Sequence, residues 1–353
     1  MAIRTTTIGA YPKPEFLKVS DWFYGNEDGP DTAHPTARYA DEIAQLGNQA
    51  EKLFVAAAKE VIKDQVEAGI DMPTDGEVRR ENYIHYHCRH LDGIDFNQLT
   101  EKTLRQGAYQ AWLPTIVGEI KARENFLPRD WSVSQALTDS PLKITLPGPM
   151  TIGDTVADNY YNDPRKRGAA LAQALNAEIL ALAAAGCKYI QVDEPLFARK
   201  TEEALSYGID HIEQCFYKVP KSVVRTIHIC CGYPDQLDNP KYPKAPRKSY
   251  FELASAIDNS SIQAVSLEDA HRKNDLGLLE LFKNTTVIFG VIAIAKSRIE
   301  TVDEIQCRLE SALQHINPDR IIGAPDCGLG LLGRDLARAK LNNLCEAAQN
   351  INI

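Results

Sequence analysis

Short segments rich in apolar and β-branched residues alternate with longer helical patterns along most of this 353-residue chain. The alternation predicts a parallel sheet, because each helix returns the chain to the edge where the next strand begins. The predicted strands span residues 5–10, 70–77, 142–148, 189–195, 223–230, 262–269, 285–292 and 320–328. Eight strand–helix units fit a closed (β/α)8 TIM barrel better than an open sheet, so we predict one α/β domain over residues 1–353.

The helix that begins at Pro164 has the clearest signals at both ends. Asp163 is a suitable N-cap, proline suits the first helical position, and Gly186 suits the end of the helix. Further helices are predicted over residues 47–68, 200–217, 275–282, 302–315 and 334–349. Residues 11–46 and 80–140 are long insertions after the first and second strands, and we expect them to mix loop and helix.

Charge, hydropathy and cysteine spacing narrow the class of protein. The formal net charge is −9 and no basic run occurs, which disfavours a nucleic-acid partner because phosphates need a basic face. The first residues lack the apolar core of a signal peptide, and no apolar run is long enough to span a bilayer. Eight scattered cysteines favour free thiols or metal ligands over disulfides. We therefore predict a cytoplasmic protein with no membrane partner.

Polar and thiol residues occupy the C-terminal ends of the predicted strands. They are Gly9, Glu77, Pro147, Asp193, Cys230, Glu268 and Cys327. In a (β/α)8 barrel these strand ends meet at one face, and active sites lie on that face. We therefore expect the functional site there.

The segment RTIHICCGYPDQ, residues 225–236, contains the first candidate metal ligands. In a strand, His228 and Cys230 point to the same side and Cys231 to the other, so Cys231 is predicted to be structural. Two ligands begin a zinc site without completing it, and a buried strand with a hydrogen-bonded histidine is the alternative. Glu268 and Cys327, at the ends of two other strands, would complete a tetrahedral set of nitrogen, sulfur and oxygen ligands.

The charge of this ligand set indicates the chemistry. Two thiolates and a carboxylate place about three negative charges around a doubly charged zinc ion, which weakens its power to activate water. Such an ion still holds an incoming thiol as a nucleophilic thiolate. Thiol alkylation therefore fits better than hydrolysis. Glu77 and Asp193 could hold a substrate ammonium group, although a loop cap or a salt bridge explains them equally well.

Two further motifs suggest ligand sites less strongly. HYHCRH contains His85, His87, Cys88 and His90, but a helix would spread these side chains around its axis, so packed or surface histidines are favoured. GLGLLG, residues 328–333, matches a dinucleotide-binding pattern, yet no second strand follows to supply a ribose-binding acid. A phosphate or carboxylate at the start of the following helix is the remaining alternative.

Seven separated motifs resemble a known family. HIC (228–230), LED (267–269) and PDCG (325–328), preceded by TTTIG, DGE, GPMTI and DEP, are similar to the catalytic half of cobalamin-independent methionine synthase, from Thr5 to Asn350. The resemblance implies a zinc-containing barrel that methylates homocysteine to methionine. The implied zinc ligands are His228, Cys230, Glu268 and Cys327. The implied homocysteine contacts are Ile8, Gly9 and Ala10 along the substrate, with Glu77 and Asp193 at its amino group.

The chain departs from the family pattern where the methyl donor would bind. The full-length enzymes carry a further N-terminal barrel, and their IGS motif appears here with Ala10 as its last residue. Thr155 replaces a tryptophan that stacks on folate, and the segment near Trp112 lacks a recognisable arginine motif. The Asp-x-His motif that supplies a proton aligns with Ala293 and Ala295, and alanine donates no proton. The catalytic acid is therefore unassigned.

We predict a zinc-dependent S-methyltransferase of methionine biosynthesis that acts on a small thiol, most simply homocysteine. The donor is predicted to differ from simple methyl-folate, and a corrinoid or another methyl-delivering protein is one source. The alternatives are an epoxyalkane:coenzyme M-type thiol alkyltransferase, for which Arg79 and Arg80 would bind the sulfonate, and an accessory barrel with structural zinc.

Overall fold

The computed structural model describes residues 2–24, 33–104, 109–233, 236–239 and 241–351. Within them the strands are β1 (Arg4–Thr5), β2 (Leu91–Leu104), β3 (Tyr109–Ala122), β4 (Lys143–Pro147), β5 (Ala157–Asp158), β6 (Tyr189–Asp193), β7 (Val224–Ile229), β8 (Ala264–Leu267), β9 (Thr286–Ile292) and β10 (Ile321–Pro325). The α-helices are α1 (Ala33–Leu46), α2 (Asn48–Ala68), α3 (His85–Cys88), α4 (Leu127–Gln135), α5 (Pro149–Asp154), α6 (Pro164–Ala184), α7 (Leu196–Arg199), α8 (Thr201–Glu203), α9 (Ile209–Cys215), α10 (Ser249–Asp258), α11 (Val302–Ala312) and α12 (Arg334–Asn350). Short 3-10 helices span Trp22–Tyr24, Leu276–Leu281 and Pro318–Arg320, and a π-helical turn spans Ala204–Gly208.

Seven strands form one all-parallel sheet in the order β1-β10-β9-β8-β7-β6-β4. Strands β6 to β10 follow one another in the sheet in the same order as in the sequence. This order is expected when each parallel strand is joined to the next by a helical crossover. Strands β4, β8 and β10 are buried over their whole length, as is typical of an all-parallel sheet with both faces covered. The predicted α/β class with a parallel sheet is therefore confirmed.

The segment predicted as the second strand, residues 70–77, forms no regular strand in the described chain. It makes two isolated parallel bridges, Met72 with Thr6 and Thr74 with Lys143. Proline at position 73 has no N–H to donate to a neighbouring strand. The N–H of Thr74 donates instead to the side chain of Gln65 at 3.0 Å. The bridges still place this segment between β1 and β4, so its end reaches the same face as the other strands.

The second insertion differs from the expected mixture of loop and helix. Strands β2 and β3 pair as an antiparallel hairpin, and β5 adds to β3 in parallel. Strand β3 does not alternate regularly, because residues 113–116 are all buried and the apolar Val117 is exposed. Trp112 lies in the hairpin and is 49% exposed. The short helices α3 and α4 flank the hairpin.

Helix α6 shows how closely the outer layer packs. The side chain of Asp163 accepts hydrogen bonds from the backbone N–H groups of Arg165 and Lys166, which confirms the predicted cap. Gly168 allows α9 to approach, because a Cβ at this position would lie 2.3 Å from the ring of His211. The helix therefore packs directly on α9, and it also contacts β3 of the hairpin.

Two other helical segments differ from prediction. Helix α10 was not predicted, because its sequence follows a stretch that contains Pro234, Pro240, Pro243 and Pro246. Residues 275–282, predicted as an α-helix, form a 3-10 helix capped by the Asp275 side chain. Among the described residues, no helix has both the length and the apolarity that crossing a bilayer requires.

Candidate metal centre and substrate cleft

The C-terminal end of β7 carries His228, whose two ring nitrogens face different groups. Nδ1 lies 2.9 Å from the hydroxyl oxygen of Ser266 in β8, and Nε2 lies 3.3 Å from Sγ of Cys327. Burial lowers the pKa of His228 to about 3, so the imidazole is neutral, as a metal ligand must be. A metal at Nε2 requires the proton on Nδ1, where the Ser266 hydroxyl accepts it.

Two cysteines complete a compact group with this histidine. Ligand atoms of His228, Cys230 and Cys327 all lie within 4.8 Å of one another. Sγ of Cys230 accepts a hydrogen bond from the N–H of Gly232 at 3.3 Å. The neighbouring Cys327 and burial raise the pKa of Cys230 well above its usual range. Ionising the buried Cys230 thiol therefore requires a cation that compensates its charge.

Glu268, the fourth predicted ligand, is a buried carboxylate without a protein partner. It is 3% exposed, and neither of its oxygens has a hydrogen-bond partner among the described residues. Burial and the neighbouring Cys230 raise the pKa of Glu268 well above its usual range. Burying a carboxylate without a partner is costly, and a bound cation removes that cost.

The donor atoms fit zinc. Zinc prefers four ligands from cysteine sulfur, histidine nitrogen and carboxylate oxygen. Usual zinc–ligand bond lengths in a tetrahedron separate nitrogen from sulfur by about 3.5 Å, close to the 3.3 Å between His228 and Cys327. The structure brings three predicted ligands into one group and places Glu268 in an adjoining group with His271 and Asp326. The assignment of all four as ligands is a proposal.

The pair formed by His271 and Asp326 was missed in the sequence. Nδ1 of His271 lies 2.7 Å from Asp326, whose carboxylate also accepts the backbone N–H groups of residues 269–271. Although burial raises the pKa of Asp326, His271 and these N–H groups lower it overall. The pair ties the loop after Glu268 to the residue before Cys327, and therefore positions both predicted ligands.

This imidazole does not replace the missing catalytic acid. Nε2 of His271 accepts the backbone N–H of Ala295, so both of its ring nitrogens face protein groups. His271 is also absent from the described residues that line the cleft. Ala293 and Ala295 themselves are buried.

An open cleft above the metal group has an empty volume of about 1090 Å³, its solvent-open part included. Aromatic side chains from separate parts of the chain line it: Trp22, Phe23, Tyr83 and Tyr233. The rings of Trp22 and Tyr233 stack with centroids 6.2 Å apart. Residues Ile8, Gly9 and Ala10, predicted to contact homocysteine, also line the cleft. The predicted substrate and metal residues therefore share one space, apart from Glu268 behind it.

Glu77 lines the cleft and is held by neighbours that fix its orientation. Its Oε1 accepts hydrogen bonds from Arg80 at 3.1 Å and Thr145 at 2.7 Å. Gly9 leaves room for it, because a Cβ there would lie 2.7 Å from this oxygen. The backbone φ of 57° at Glu77 is in the left-handed region that favours glycine, which is the strain found at functional positions. Oε2 has no hydrogen-bond partner among the described residues.

Arg79 and Arg80, predicted to bind a sulfonate in the coenzyme M-type alternative, are engaged by protein carboxylates. Arg80 pairs with Glu77, and Arg79 forms two hydrogen bonds with Glu51, so neither guanidinium is free for a sulfonate. Neither arginine is among the described residues that line the cleft. The observation that favoured a coenzyme M-type reaction is therefore lost.

Asp193, at the end of β6, is oriented from inside the sheet. Its Oδ1 accepts from Nε2 of Gln191 at 2.7 Å, and Gln191 also donates to the carbonyl of Ile8 at 2.8 Å. Nζ of Lys143 donates to the side-chain oxygen of Gln191 at 2.7 Å. Lys143 therefore fixes which way the amide points, and the amide fixes the carboxylate. Burial and the charge of Glu77 raise the pKa of Asp193 well above its usual range.

Lys143 gives a testable dependence of stability on pH. Burial lowers its pKa to about 7, whereas an unfolded lysine holds its proton up to about pH 10.4. The unfolded chain therefore binds more protons between these values, so stability rises with pH there by up to about 1.4 kcal/mol per pH unit. Lys143→Met removes this component. We expect urea unfolding at pH 7, 8 and 9 to show that the free energy of unfolding of wild type increases relative to that of the variant as pH rises. A constant difference between the two proteins would contradict the lowered pKa of Lys143.

The sequence matches the model of the family described as "Cobalamin-independent synthase, Catalytic domain" over residues 3–214 and 244–350. These ranges cover most of the chain and include Glu77, Asp193, Glu268 and Cys327. The chain belongs to this cobalamin-independent synthase family. His228 and Cys230 lie between the two matched ranges, so their place in the site rests on the geometry above.

Relatives of this cobalamin-independent synthase cover nearly its whole length. The methionine synthase of Sulfolobus acidocaldarius is 29% identical over an alignment of 349 residues, with 96% of this chain and 89% of that protein covered. The methionine synthase of Saccharolobus solfataricus is 28% identical over 357 residues, with 98% and 93% covered. The B12-independent methionine synthase of Shewanella sp. W3-18-1, solved with selenomethionine, superposes with a TM-score of 0.85 at 29% identity, covering 99% of this chain and 97% of that one.

The other candidate sites of this synthase do not assemble into ligand sites in the described chain. His85 lies between Thr36 and the carbonyl of Thr155, and His90 pairs with Glu124. In the GLGLLG motif, Gly330 is packed against the Phe23 ring, which a Cβ would meet at 2.6 Å. The thiol of Cys231, predicted to be structural, accepts from Arg272 at 3.2 Å and is buried outside the metal group.

Proposed function

We propose that this synthase methylates the thiol of homocysteine to give methionine, with zinc held by His228, Cys230, Glu268 and Cys327. The observation that carries the proposal is the unpartnered Glu268 carboxylate beside a group of one imidazole and two thiols. The Shewanella relative was solved with selenomethionine, the selenium analogue of methionine, which supports an amino-acid site in this cleft. Its methionine synthase relatives support the same reaction.

Two buried carboxylates suit the amino group of the acceptor. Glu77 and Asp193 both line the cleft, and burial raises the pKa of each. An ammonium group between them compensates the charge of their ionised forms, which burial otherwise disfavours. The backbone at residues 8–10 lies along the same wall and limits where the rest of the amino acid can lie. Binding at this end therefore directs the thiol towards the cysteine and histidine group.

Zinc bound at this group would lower the pKa of the acceptor thiol and keep it as a nucleophile at neutral pH. The thiol releases its proton to solvent, and its sulfur forms a bond to the methyl carbon of the donor. The bond between that carbon and the rest of the donor breaks, and the departing group keeps the electron pair. The buried Ala293 and Ala295 supply no proton to that group.

We also propose that the parallel sheet closes into a (β/α)8 barrel and that residues 1–353 act as one domain. The two bridges made by residues 70–77 support closure, because they link this segment to β1 on one side and to β4 on the other. The metal group and both carboxylates then lie on the C-terminal face, where barrel enzymes carry their sites.

The metal and the acceptor can be tested together. We expect about one zinc per chain, as a single four-ligand site requires. After cobalt replaces zinc, adding homocysteine is expected to intensify the sulfur-to-cobalt absorption band, since another thiolate joins the site. A chain that binds neither metal, or a cobalt spectrum that homocysteine leaves unchanged, would contradict the proposal.

The donor is expected to differ from methyl-folate. Thr155 offers no ring for a pterin to stack on, and a leaving folate nitrogen needs a proton that Ala295 cannot give. We expect methionine to form faster from methylcobalamin or a methylsulfonium donor, whose leaving groups need no proton, than from methyl-tetrahydrofolate. Chromatography of methionine formed with each donor at equal concentration measures this. Efficient turnover with methyl-tetrahydrofolate as the sole donor would show that the inference is wrong.

A further inference from the structure

One cationic side chain in the cleft has no partner. Arg199 ends helix α7, is half-buried, and lines the cleft. It is the single lysine or arginine among the described residues of the cleft wall. Its guanidinium makes no hydrogen bond and no ion pair within the described part of the chain. Arginines in protein cavities otherwise pair with carboxylates or phosphates, for which their planar donor fork is suited.

None of the acidic side chains that line the cleft pairs with Arg199 in the described part of the chain. Glu77 accepts from Arg80, Asp193 accepts from Gln191, and Asp154 pairs with Lys200 at 3.0 Å. Arg199 therefore presents an uncompensated positive charge to whatever occupies the cleft. An anionic ligand would compensate it, and the partial burial of the guanidinium would strengthen that interaction.

Arg199 lies beside the strand that carries the metal group. Helix α7, which Arg199 ends, packs against β7, and Arg199 lines the same cleft as His228 and Cys230. The cations that act most on Glu77 and Asp193 are Arg80, Lys13 and Lys143. Arg199 therefore faces the part of the cleft where the second substrate must present its methyl group to the thiol.

We propose that Arg199 binds an oxyanion, a carboxylate or a phosphate, carried by the methyl donor. The inference rests on the proposed function and adds a substrate class to it. The donor has a methyl group at one end and an anionic group that reaches Arg199 at the other. A neutral methyl donor has no anionic group and therefore cannot make this contact with Arg199.

The proposal can be tested by calorimetric titration of the zinc-loaded chain with two simple probes, inorganic phosphate and glutarate. Each titration is made with saturating homocysteine and without it. We expect wild type to bind at least one probe in both states, and the stronger probe to identify the anion as a phosphate or a carboxylate. Arg199→Gln should weaken that binding by about tenfold or more, the effect of losing a charged hydrogen bond. Arg199→Lys should give an intermediate affinity, because lysine keeps the charge but not the planar fork.

Arg247→Gln is the matched control, since Arg247 is exposed and lies outside the residues that line the cleft. It should bind both probes as wild type does. Failure of wild type to bind either probe, or equal binding by Arg199→Gln, would overturn the proposal. Loss of probe binding when homocysteine is added would also overturn it, because Arg199 would then hold the carboxylate of the acceptor. Titrations without homocysteine remain informative if the proposed acceptor is wrong, so the two failures can be told apart.

Discussion

Cys327→Ala is expected to lose zinc and to slow methionine formation by about a thousandfold or more, because metal polarisation contributes several kcal/mol to such reactions. The variant keeps His228, Cys230 and Glu268, but removes the proposed ligand whose sulfur lies 3.3 Å from Nε2 of His228. Three ligands, one of them a carboxylate, hold zinc less tightly than four. The zinc content by elemental analysis and the rate of methionine formation should therefore fall together.

The control for this variant is Cys307→Ala, which removes an exposed thiol in helix α11. This chain should retain both zinc and activity, since Cys307 belongs to neither group of candidate ligands. A Cys327→Ala protein that contains no zinc yet turns over at the wild-type rate would exclude zinc from the reaction. Circular dichroism of both variants separates loss of the metal from loss of the fold.

Asp193→Asn is expected to raise the KM for homocysteine about a hundredfold, because removing one charge of a buried ion pair costs several kcal/mol. Asparagine has nearly the same shape and keeps an oxygen that can accept from Gln191, so the local structure should survive. The lost quantity is the negative charge that faces the substrate's ammonium group. Steady-state kinetics at varied homocysteine concentration measure the change.

A second acceptor makes this prediction specific. In 4-mercaptobutanoate the thiol and carboxylate of homocysteine are kept and the amine is absent. Wild type should strongly prefer homocysteine, and Asp193→Asn should lose most of that preference. Asp210→Asn, at an exposed position on helix α9, should behave as wild type. An undiminished preference in Asp193→Asn would place the ammonium group elsewhere.

Most of the sheet was predictable because buried parallel strands are continuous apolar runs with clear ends. The segment 70–77 was harder: its apolar content resembles a strand, but Pro73 and the side chain of Gln65 replace strand hydrogen bonds with local ones. The hairpin of β2 and β3 was overlooked because β3 lacks a regular alternation of apolar and polar residues. Its residues lie between two strands of the main sheet, where a helix was the expected connection.

The candidate site likewise contains residues that could be predicted from the sequence and residues that could not. Residues at strand ends, such as His228 and Cys230, could be found from strand position alone. The His271–Asp326 pair and the Lys143–Gln191 contact depend on distances across the fold, which the sequence does not encode locally. Arg199 could not be distinguished from other surface cations by sequence. Its lack of a partner appears only when its neighbours in space are known.

The unpartnered carboxylate of Glu268 has a consequence for how the chain matures. A folded chain without metal keeps the Glu268 carboxylate and the Cys230 thiol buried, where both are costly to ionise. Metal binding therefore adds directly to the free energy of folding, and it releases protons as the ligands ionise. Under the proposed zinc assignment, zinc therefore stabilises the folded chain, and scarce zinc is expected to leave a larger share of newly made chains open to unfolding and proteolysis.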